Sequence, residues 1–178
     1  MRVRIEKVIQ GGDGLAQLPN GQRVFVPAVL PDEVVEILPV EEKSGFVRAE
    51  LVEILEASSH RIDPPCPYYG ICGGCDFQYA THEEQVRIKE AIIRENFARV
   101  GKIDEINLLP SEVGNPWRYR CRSRFHVDLR SNEVGFLAPK SNDLVPVSSC
   151  PVLTPMLNSL LEEPEALLDA AYRLQNRN

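Results

Sequence analysis

Short hydrophobic runs that alternate with polar positions fill residues 1–57 and predict about five β-strands. Asn20-Gly21 separates two of these runs, and this dipeptide favours a tight hairpin because the turn requires positive φ. Strands this short and this numerous must curl to bury one face, so the pattern predicts a small closed β-barrel. The expected strands lie at 3–8, 15–18, 23–26, 34–40 and 46–55.

The glycine-rich stretch Gly11-Gly12-Asp13-Gly14 has two possible interpretations. A phosphate-binding loop needs a helix immediately after it, because the helix N-terminus must point at the ligand. The residues after Gly14 have the pattern of a strand instead. A turn between two strands is therefore the favoured interpretation.

Hydrophobic positions recur at helical spacing between residues 81 and 100. Thr81 and Glu84 form a capping-box pattern, in which each side chain satisfies a free amide at the helix start, and Gly101 is expected to end the helix. His60 and His82 have no further ligands at metal spacing, so both are expected at the surface. The apolar face is expected to be core rather than a partner groove and comprises Val86, Ile88, Ile92, Ile93, Phe97 and Val100.

A second strand-rich segment is predicted at residues 116–150, and it begins with arginine at every other position. Residues two apart on a strand project to the same side about 6.6 Å apart, so four guanidinium groups would form a basic stripe. Such a stripe suits a row of phosphates, with Trp117 as a stacking surface beside it. A solvated face paired internally with carboxylates is the alternative, and both remain open. The arginines are Arg118, Arg120, Arg122 and Arg124.

The same alternation places Cys121 on the opposite face, with Tyr119 and Phe125, and so predicts a buried thiol. A buried thiol packs as a small hydrophobic group. A nucleophilic role would need nearby cations to lower the thiol pKa, but the arginines are expected to point away from Cys121. Farther along, leucines at helical spacing after Cys150 predict one helix or two, with an interruption near Glu163-Pro164.

Composition limits the classes of protein that remain possible. The chain has 178 residues, of which 43% are hydrophobic and 26% charged, as in a globular protein of one domain or two small ones. A net charge of −6 argues against indiscriminate binding to nucleic acid or anionic membranes, but it allows a local basic face. The charged start resembles no signal peptide, and no apolar run reaches the roughly 20 residues that span a bilayer. A cytoplasmic location without membrane contact is expected.

Four of the five cysteines have the spacing of a metal or cluster site. Cys66, Cys72, Cys75 and Cys150 are separated by five, two and seventy-four residues. Structural zinc usually takes two Cys-x-x-Cys pairs, whereas three clustered cysteines and a remote fourth, with prolines after Cys66 and Cys150, suit an iron–sulfur cluster better. Disulfides are less favoured in a chain without an export signal. From the residues alone, zinc and disulfides remain alternatives to the cluster.

Two stretches of the chain resemble known families. The barrel segment resembles a TRAM domain, an RNA-binding module, through Gly12-Asp13-Gly14-Leu15-Ala16, Gly21-Gln22-Arg23-Val24-Phe25-Val26-Pro27 and Leu30-Pro31-Asp32-Glu33. The cysteine stretch, with Gln78 three positions after Cys75, resembles the cluster motif of bacterial RNA uracil-5 methyltransferases, which use S-adenosylmethionine to methylate ribosomal or transfer RNA. The likeness covers nearly the whole chain and continues through 79–101, Pro116-Trp117-Arg118-Tyr119-Arg120, Gly135-Phe136, Asp143-Leu144-Val145 and Cys150-Pro151.

This resemblance implies a [4Fe-4S] cluster held by Cys66, Cys72, Cys75 and Cys150. Four thiolate ligands leave no iron open for S-adenosylmethionine, so a structural or RNA-shaping role is expected, and the Gly73-Gly74 turn is expected to touch RNA. The implied fold class is α+β. An OB-like five-stranded TRAM barrel at 1–57 is followed by a cysteine-rich cluster loop at 58–80 and a mixed α/β domain at 81–178. The expected partner of this monomer is RNA, either 23S rRNA or tRNA.

Catalysis in that family needs a Rossmann-like domain with a glycine-rich turn, a cysteine nucleophile and a general base, and none is visible in these residues. The chain is therefore interpreted as the RNA-recognition and iron–sulfur portion of an RNA uracil-5 methyltransferase. On its own it is expected to be inactive, since S-adenosylmethionine would bind only the full-length enzyme. The alternatives are a self-standing RNA-binding module with an iron–sulfur or zinc centre, and a redox protein.

Overall fold

The computed structural model describes residues 1–176, which have an α+β composition and divide into two compact units. Unit 1 comprises Met1–Asp63 and Asp76–Glu112, and unit 2 comprises Pro64–Cys75 and Val113–Asn178. Unit 1 contains β1 (Arg2–Arg4), β2 (Lys7–Val8), β3 (Gly14–Gln17), β4 (Arg23–Val26), β5 (Val34–Lys43), β6 (Phe46–Glu56) and α1 (His82–Arg99). Unit 2 contains β7 (His126–Asp128), β8 (Glu133–Leu137), β9 (Leu144–Pro146), α2 (Pro155–Glu162) and α3 (Glu165–Gln175). The sequence-based division at residues 57 and 80 differs, because α1 groups with the sheet.

The six strands of unit 1 form one curled sheet in the order β1-β5-β6-β4-β3-β2. The two edge strands, β1 and β2, are separated along the chain only by Ile5 and Glu6. The Ile5 N–H donates to the Glu33 carbonyl (2.8 Å), and the Glu6 N–H donates to the Leu15 carbonyl (2.8 Å). One short segment therefore bonds to both ends of the sheet, which curls around a core of Val3, Ile5, Ala16, Leu18, Val24, Val26, Val29, Val35, Ile37, Val47 and Ala49.

The turns expected in this sheet are confirmed. β3 and β4 pair antiparallel on either side of Asn20-Gly21, and Gly21 has φ +84°. Gly11 and Gly12 have φ values of +99° and +90° in the turn between β2 and β3. The glycine-rich stretch is therefore a turn, and β3 follows it directly. β5 and β6 extend to Lys43 and Glu56, beyond the expected ends, because Lys43 pairs with Phe46 and Glu56 pairs with Val34.

A buried carboxylate connects the sheet to the segment that follows it. Glu33 is fully buried, and its two oxygens accept hydrogen bonds from the N–H groups of Leu30 (2.8 Å) and Ser58 (3.1 Å). Arg61 donates to both oxygens, from Nε at 2.6 Å and from Nη2 at 2.7 Å. The Arg61 guanidinium also lies 4.8 Å from the centre of the Tyr79 ring. These contacts hold residues 58–61 and 79 against the corner that precedes β5.

The α1 helix begins as expected, but the capping box is only half formed. The Thr81 side chain accepts a bond from the Glu84 N–H at 3.4 Å. The reciprocal bond is replaced, since the Thr81 N–H donates to the His60 carbonyl (2.8 Å) and the Glu84 carboxylate accepts from Arg87 (3.2 Å). The helix N-terminus is therefore attached to residue 60 rather than closed on itself.

The expectation that the apolar face of α1 is core is largely wrong. Only Ile88 among those residues is buried, while Phe97 is 45% and Val100 72% exposed. Polar contacts supply much of the attachment to the sheet, because Lys7 pairs with Glu95 (2.8 Å). An Asn96–Gln10 hydrogen bond adds to this attachment at 3.0 Å. Helical spacing identified the helix but not which side faces the sheet.

The expectation that both histidines lie at the surface is wrong for His82. Both ring nitrogens of His82 are buried and have no hydrogen-bond partner. His60 is partly exposed and lies 3.1 Å from an Arg87 nitrogen. His60 is only partly exposed because it lies beside the start of α1.

Unit 2 is built on a three-stranded antiparallel sheet, β7-β8-β9, covered by the two C-terminal helices. α2 and α3 are separated at Glu163-Pro164, as the sequence predicted. Gly135 in β8 is required by packing, because a Cβ there would lie 1.9 Å from the Val145 carbonyl oxygen of β9. The core comprises Val134, Val147, Cys150, Val152, Leu153 and Leu161. Within residues 1–176, no helix combines the length and apolar character needed to cross a bilayer.

Candidate cysteine centre and nucleic-acid interface

Cys66, Cys72 and Cys75 lie in unit 2 on one tightly turned loop. The Cys72 N–H donates to the Tyr68 carbonyl at 2.8 Å, and a further bond joins the Tyr69 N–H to the Cys66 carbonyl at 3.1 Å. These bonds fold back the five residues between Cys66 and Cys72. The loop therefore positions its cysteines through turns rather than through a helix or strand.

Gly73 lets this loop approach β8 closely. Its N–H donates to the Leu137 carbonyl at 2.9 Å, and a Cβ at this position would lie 3.0 Å from that oxygen and 3.2 Å from the Pro139 nitrogen. At Gly74 a Cβ would make only an ordinary contact, 3.5 Å from the Cys72 sulfur. Both glycines are exposed, and neither has positive φ. The turn is therefore defined by close packing at Gly73.

The structure brings the remote Cys150 to the same core as the loop. Cys150 is buried, and Cys75 packs against the cluster of which Cys150 is a member. The Tyr68 hydroxyl on the loop bonds to the Ser148 N–H (3.1 Å) and lies 2.9 Å from its Oγ. The Asn158 side chain on α2 accepts from the Cys150 N–H (2.8 Å) and donates to its carbonyl (2.9 Å). Asn158 thus positions Cys150, and no spacing in the sequence singled it out.

The electrostatic environment of Cys72 shows which groups surround it. Burial raises the pKa of the Cys72 thiol, and the neighbouring Cys150 and Cys66 raise it further. A hydrogen bond from the Gly74 backbone and the charge of Arg120 oppose this rise. Hydrogen-bond donors and a cation beside grouped sulfurs are the surroundings that favour thiolates bound to a metal or cluster. The chemical types of these donors therefore suit a thiolate-bound group.

No disulfide joins the cysteines among residues 1–176, so the disulfide alternative is not observed. Across residues 1–176 the structure contains no group of three or more His, Cys, Asp or Glu side chains arranged to hold a metal ion. The ligand roles of Cys66, Cys72, Cys75 and Cys150 stay a prediction.

The arginine-rich segment is not the expected strand, and it begins with a bend at residues 116–118. Residues 116–125 form only one isolated bridge, between Arg120 and Leu153. Arg118 has φ +57°, which interrupts the two-residue alternation. Hydrogen bonds from the Arg118 N–H to Pro151 (3.0 Å) and from the Arg120 N–H to Val152 (2.8 Å) attach the segment to the residues after Cys150. The arginine segment thus starts beside the cysteine centre.

Three of the four arginines are exposed, and none belongs to an ion pair with another described residue. Arg118, Arg122 and Arg124 are exposed, while Arg120 is half-buried and donates to the Gly74 carbonyl at 3.4 Å. None of the four lies within salt-bridge distance of a carboxylate among residues 1–176. Internal pairing with carboxylates is therefore not observed, and these charges are available to an anionic partner.

Two neighbouring side chains differ from expectation. Cys121 is exposed and Tyr119 is 57% exposed, so their predicted place in the core is wrong. The reason is the missing strand, because without continuous pairing the segment has no buried face. Trp117, predicted as a stacking surface, is half-buried and packs against the core of unit 2.

Residues 1–52 match the TRAM domain family. An RNA methyltransferase of Aquifex aeolicus, itself described as uncharacterized, is 34% identical over 175 residues, which cover 98% of this chain and 41% of that protein. The 23S rRNA (uracil(1939)-C(5))-methyltransferase RlmD of Shewanella woodyi is 35% identical over 162 residues, 89% of this chain and 36% of the relative. The chain thus spans about two fifths of the length of these relatives.

Among solved structures, the tRNA (uracil-54, C5)-methyltransferase of Pyrococcus abyssi, in complex with S-adenosyl-L-homocysteine, matches with a TM-score of 0.61. The match covers 97% of this chain and 37% of that one at 20% identity, so it shows a shared fold. Taken together with the TRAM match and the sequence relatives, this likeness agrees with the family inferred from the cysteine and TRAM motifs. The chain belongs to the RNA (uracil-5-)-methyltransferase family, with a TRAM domain at residues 1–52.

Proposed function

We propose that this chain is the RNA-recognition and iron–sulfur portion of an S-adenosylmethionine-dependent uracil-5 methyltransferase that acts on 23S rRNA or tRNA. The proposal includes a [4Fe-4S] cluster on Cys66, Cys72, Cys75 and Cys150, and a monomeric, cytoplasmic protein. The main support is the position of Cys150, which lies in the core against which Cys75 packs and acts electrostatically on Cys72, although 74 residues separate it from Cys75 along the chain.

The curled sheet of unit 1 is consistent with the OB-like barrel that such modules use. If β1 and β2 count as one bent strand, the sheet has five strands. The first half of this bent strand pairs with β5 and the second half with β3, so it bonds to both ends of the sheet. OB-like barrels bind single-stranded nucleic acid across their outer surface. A TRAM domain in this position therefore supports RNA as the partner.

A bound cluster would supply iron–sulfur bonds that join the cysteine loop to the segment at Cys150. The protein's own contribution is to hold the four sulfurs in place. Asn158 fixes the backbone of Cys150, the Gly74 N–H bonds to the Cys72 sulfur, and Gly73 sets the loop against β8. Because these contacts hold two distant segments together, we assign the centre a structural role and no part in methyl transfer.

RNA binding is assigned to the exposed arginine segment beside this centre. Arg122 and Arg124 are exposed and lie outside ion pairs among the described residues. Guanidinium groups bind phosphates through paired N–H donors. In a chain of net charge −6, this local concentration of cations explains how RNA could be held without general affinity for polyanions.

The proposal is tested by anaerobic purification of the chain followed by iron and sulfide analysis, and by RNA binding over a range of salt concentrations. We expect equal amounts of iron and acid-labile sulfide, about four of each per chain, and an affinity that falls as salt rises. The double variant Arg122→Gln/Arg124→Gln should flatten the salt dependence by about 1.4 in slope for single-stranded RNA, and Arg173→Gln on α3 serves as the control. Finding one zinc ion per chain and no iron would contradict the cluster and support a zinc site instead. Absence of RNA binding by the wild-type chain would contradict the proposed function.

A further inference from the structure

Unit 1 has a cavity of about 490 Å³ on the outer side of its sheet. This volume lies within the range of roughly 300–1,000 Å³ that is usual for small-molecule sites. The cavity opens against α1, so both the sheet and the helix contribute to its walls. Its lining residues are Lys7, Ile9, Gln10, Leu15, Arg23 and Phe25 from the sheet side and Ile92, Glu95, Asn96 and Arg99 from the helix.

The floor of this cavity is apolar and belongs to the outer face of the sheet. In β4, Val24 and Val26 are fully buried in the core, so Phe25 between them points outward. Leu15 is directly opposite Phe25 in the β3–β4 pairing, and it lines the cavity rather than joining the core of the sheet. Together with Ile92 of α1 these side chains provide a flat, apolar surface with one aromatic ring.

The aromatic surface continues beyond the cavity. Phe25 and Phe46 are in edge-to-face contact, with ring centres 5.5 Å apart. The Arg48 guanidinium lies 6.0 Å from the Phe25 ring centre and 5.9 Å from that of Phe46. Both rings are half-buried, so part of each remains exposed to solvent. Aromatic rings next to guanidinium groups on the outer face of such a barrel are the usual surface on which unpaired bases stack.

The charges around the cavity favour an anionic ligand. Lys7 pairs with Glu95 at 2.8 Å, which neutralises the cavity's carboxylate. Arg23 and Arg99 are exposed, and neither forms an ion pair with another described residue. Three cations against one carboxylate leave a local charge of +2 in a chain whose net charge is −6.

We infer that this cavity binds an unpaired nucleotide of single-stranded RNA, with the base against Phe25 and the phosphates at Arg23 and Arg99. The inference rests on the proposed function and adds a second contact site for the same RNA, on unit 1. A base within a duplex has both faces stacked on its neighbours and cannot enter a cavity of this kind. A single strand therefore combines an accessible base with adjacent phosphates, and the proposed function makes RNA that strand.

The test measures binding of the full chain to a fluorescent ten-nucleotide oligouridine by anisotropy at several salt concentrations. Loss of the stacking surface in Phe25→Ala should weaken binding by about 5- to 140-fold, which is the effect usual for one base–aromatic contact. Phe25→Tyr should retain most of the affinity. Arg99→Gln should reduce the slope of log affinity against log salt by about 0.7, the value for one phosphate contact on a single strand.

Two residues of the same helix provide matched controls, since Phe97 and Arg94 are exposed on α1 but do not line the cavity. Phe97→Ala and Arg94→Gln should bind the oligouridine as the wild type does. Because Phe25→Ala could affect folding, Ile92→Trp gives a second measurement, and filling the cavity should weaken binding in a protein with unchanged circular dichroism.

The outcomes separate this inference from the proposed function. Wild-type binding that is salt-dependent but unchanged in Phe25→Ala, Ile92→Trp and Arg99→Gln would overturn the inference alone. Equal loss in the control variants would overturn it as well. Binding of uridine monophosphate as tight as that of the oligouridine would show a mononucleotide site instead. Absence of oligouridine binding by the wild-type chain would contradict the proposed function itself.

Discussion

Glu33 shows how a single polar residue organises its part of the fold. Its carboxylate is fully buried, yet two backbone N–H groups and the Arg61 guanidinium satisfy it. The sequence contained this residue within the TRAM motif Leu30-Pro31-Asp32-Glu33, but its partner is 28 residues away. A buried ion pair of this kind is costly to break, because the remaining partner keeps an unpaired charge in a poorly solvated place.

Glu33→Gln should therefore lower the free energy of unfolding by about 3 kcal/mol, since it leaves Arg61 without its counter-charge. Urea unfolding followed by far-UV circular dichroism measures this value. Glu36→Gln is the control, because Glu36 is exposed and lies 3.8 Å from the N-terminal amine, so a change within about 0.5 kcal/mol is expected. Equal effects in both variants would show that the buried pair does not stabilise the fold.

At the scale of elements, the cysteine loop depends on its approach to β8. Gly73 has almost no room for a side chain, whereas Gly74 has ordinary space near Cys72. Adjacent glycines in one sequence motif therefore have different roles. The first is required by packing, and the second is the one at which contact with RNA can be tested without disturbing the loop.

Gly73→Ala should destabilise unit 2 by about 1–3 kcal/mol, because the new Cβ meets backbone atoms that cannot move independently. Gly74→Ala should remain within about 0.5 kcal/mol of wild type. The chain's single tryptophan, Trp117, packs on the core of unit 2, so its emission wavelength reports unfolding of that unit. If Gly74→Ala binds RNA as tightly as wild type, the expected contact between this turn and RNA is wrong.

On the scale of the whole molecule, a group held by Cys75 and Cys150 would close a loop of 74 residues, of which 76–112 belong to unit 1 and 113–149 to unit 2. Closing a long loop lowers the entropy of the unfolded chain, and for a disulfide of similar span the stabilisation is roughly 4 kcal/mol. Unit 1 contains none of the four cysteines. Loss of the centre should therefore affect the two units differently.

The Cys150→Ser variant should contain no iron, and the unfolding temperature reported by Trp117 fluorescence should fall. The unfolding temperature of unit 1, followed by its β-sheet signal, should stay as in wild type. Cys121→Ser is the matched control, since Cys121 is an exposed thiol outside the proposed ligand set, and it should retain iron and stability. The prediction is checked by measuring iron content and thermal unfolding of both variants and the wild type. Full iron content in Cys150→Ser would remove that residue from the ligand set.

The sequence by itself determined the features that depend on neighbouring residues. The strands of the curled sheet, the Asn20-Gly21 hairpin and the break at Glu163-Pro164 follow from periodicity and turn preferences, which act over a few residues. The cysteine and TRAM motifs, through their resemblance to known families, indicated the family that the comparisons show.

Only the tertiary structure decided features that depend on contacts between distant residues. Alternation in residues 118–124 predicted a two-faced strand, but a strand needs a partner along its length, and this segment has a single bridge, so Cys121 became exposed. Helical spacing in α1 could not tell which side meets the sheet, because Lys7 and Gln10 supply that contact from 80 or more positions away. The position of Cys150 in the core that Cys75 contacts, and of the Phe25 cavity beneath α1, results from the same long-range packing.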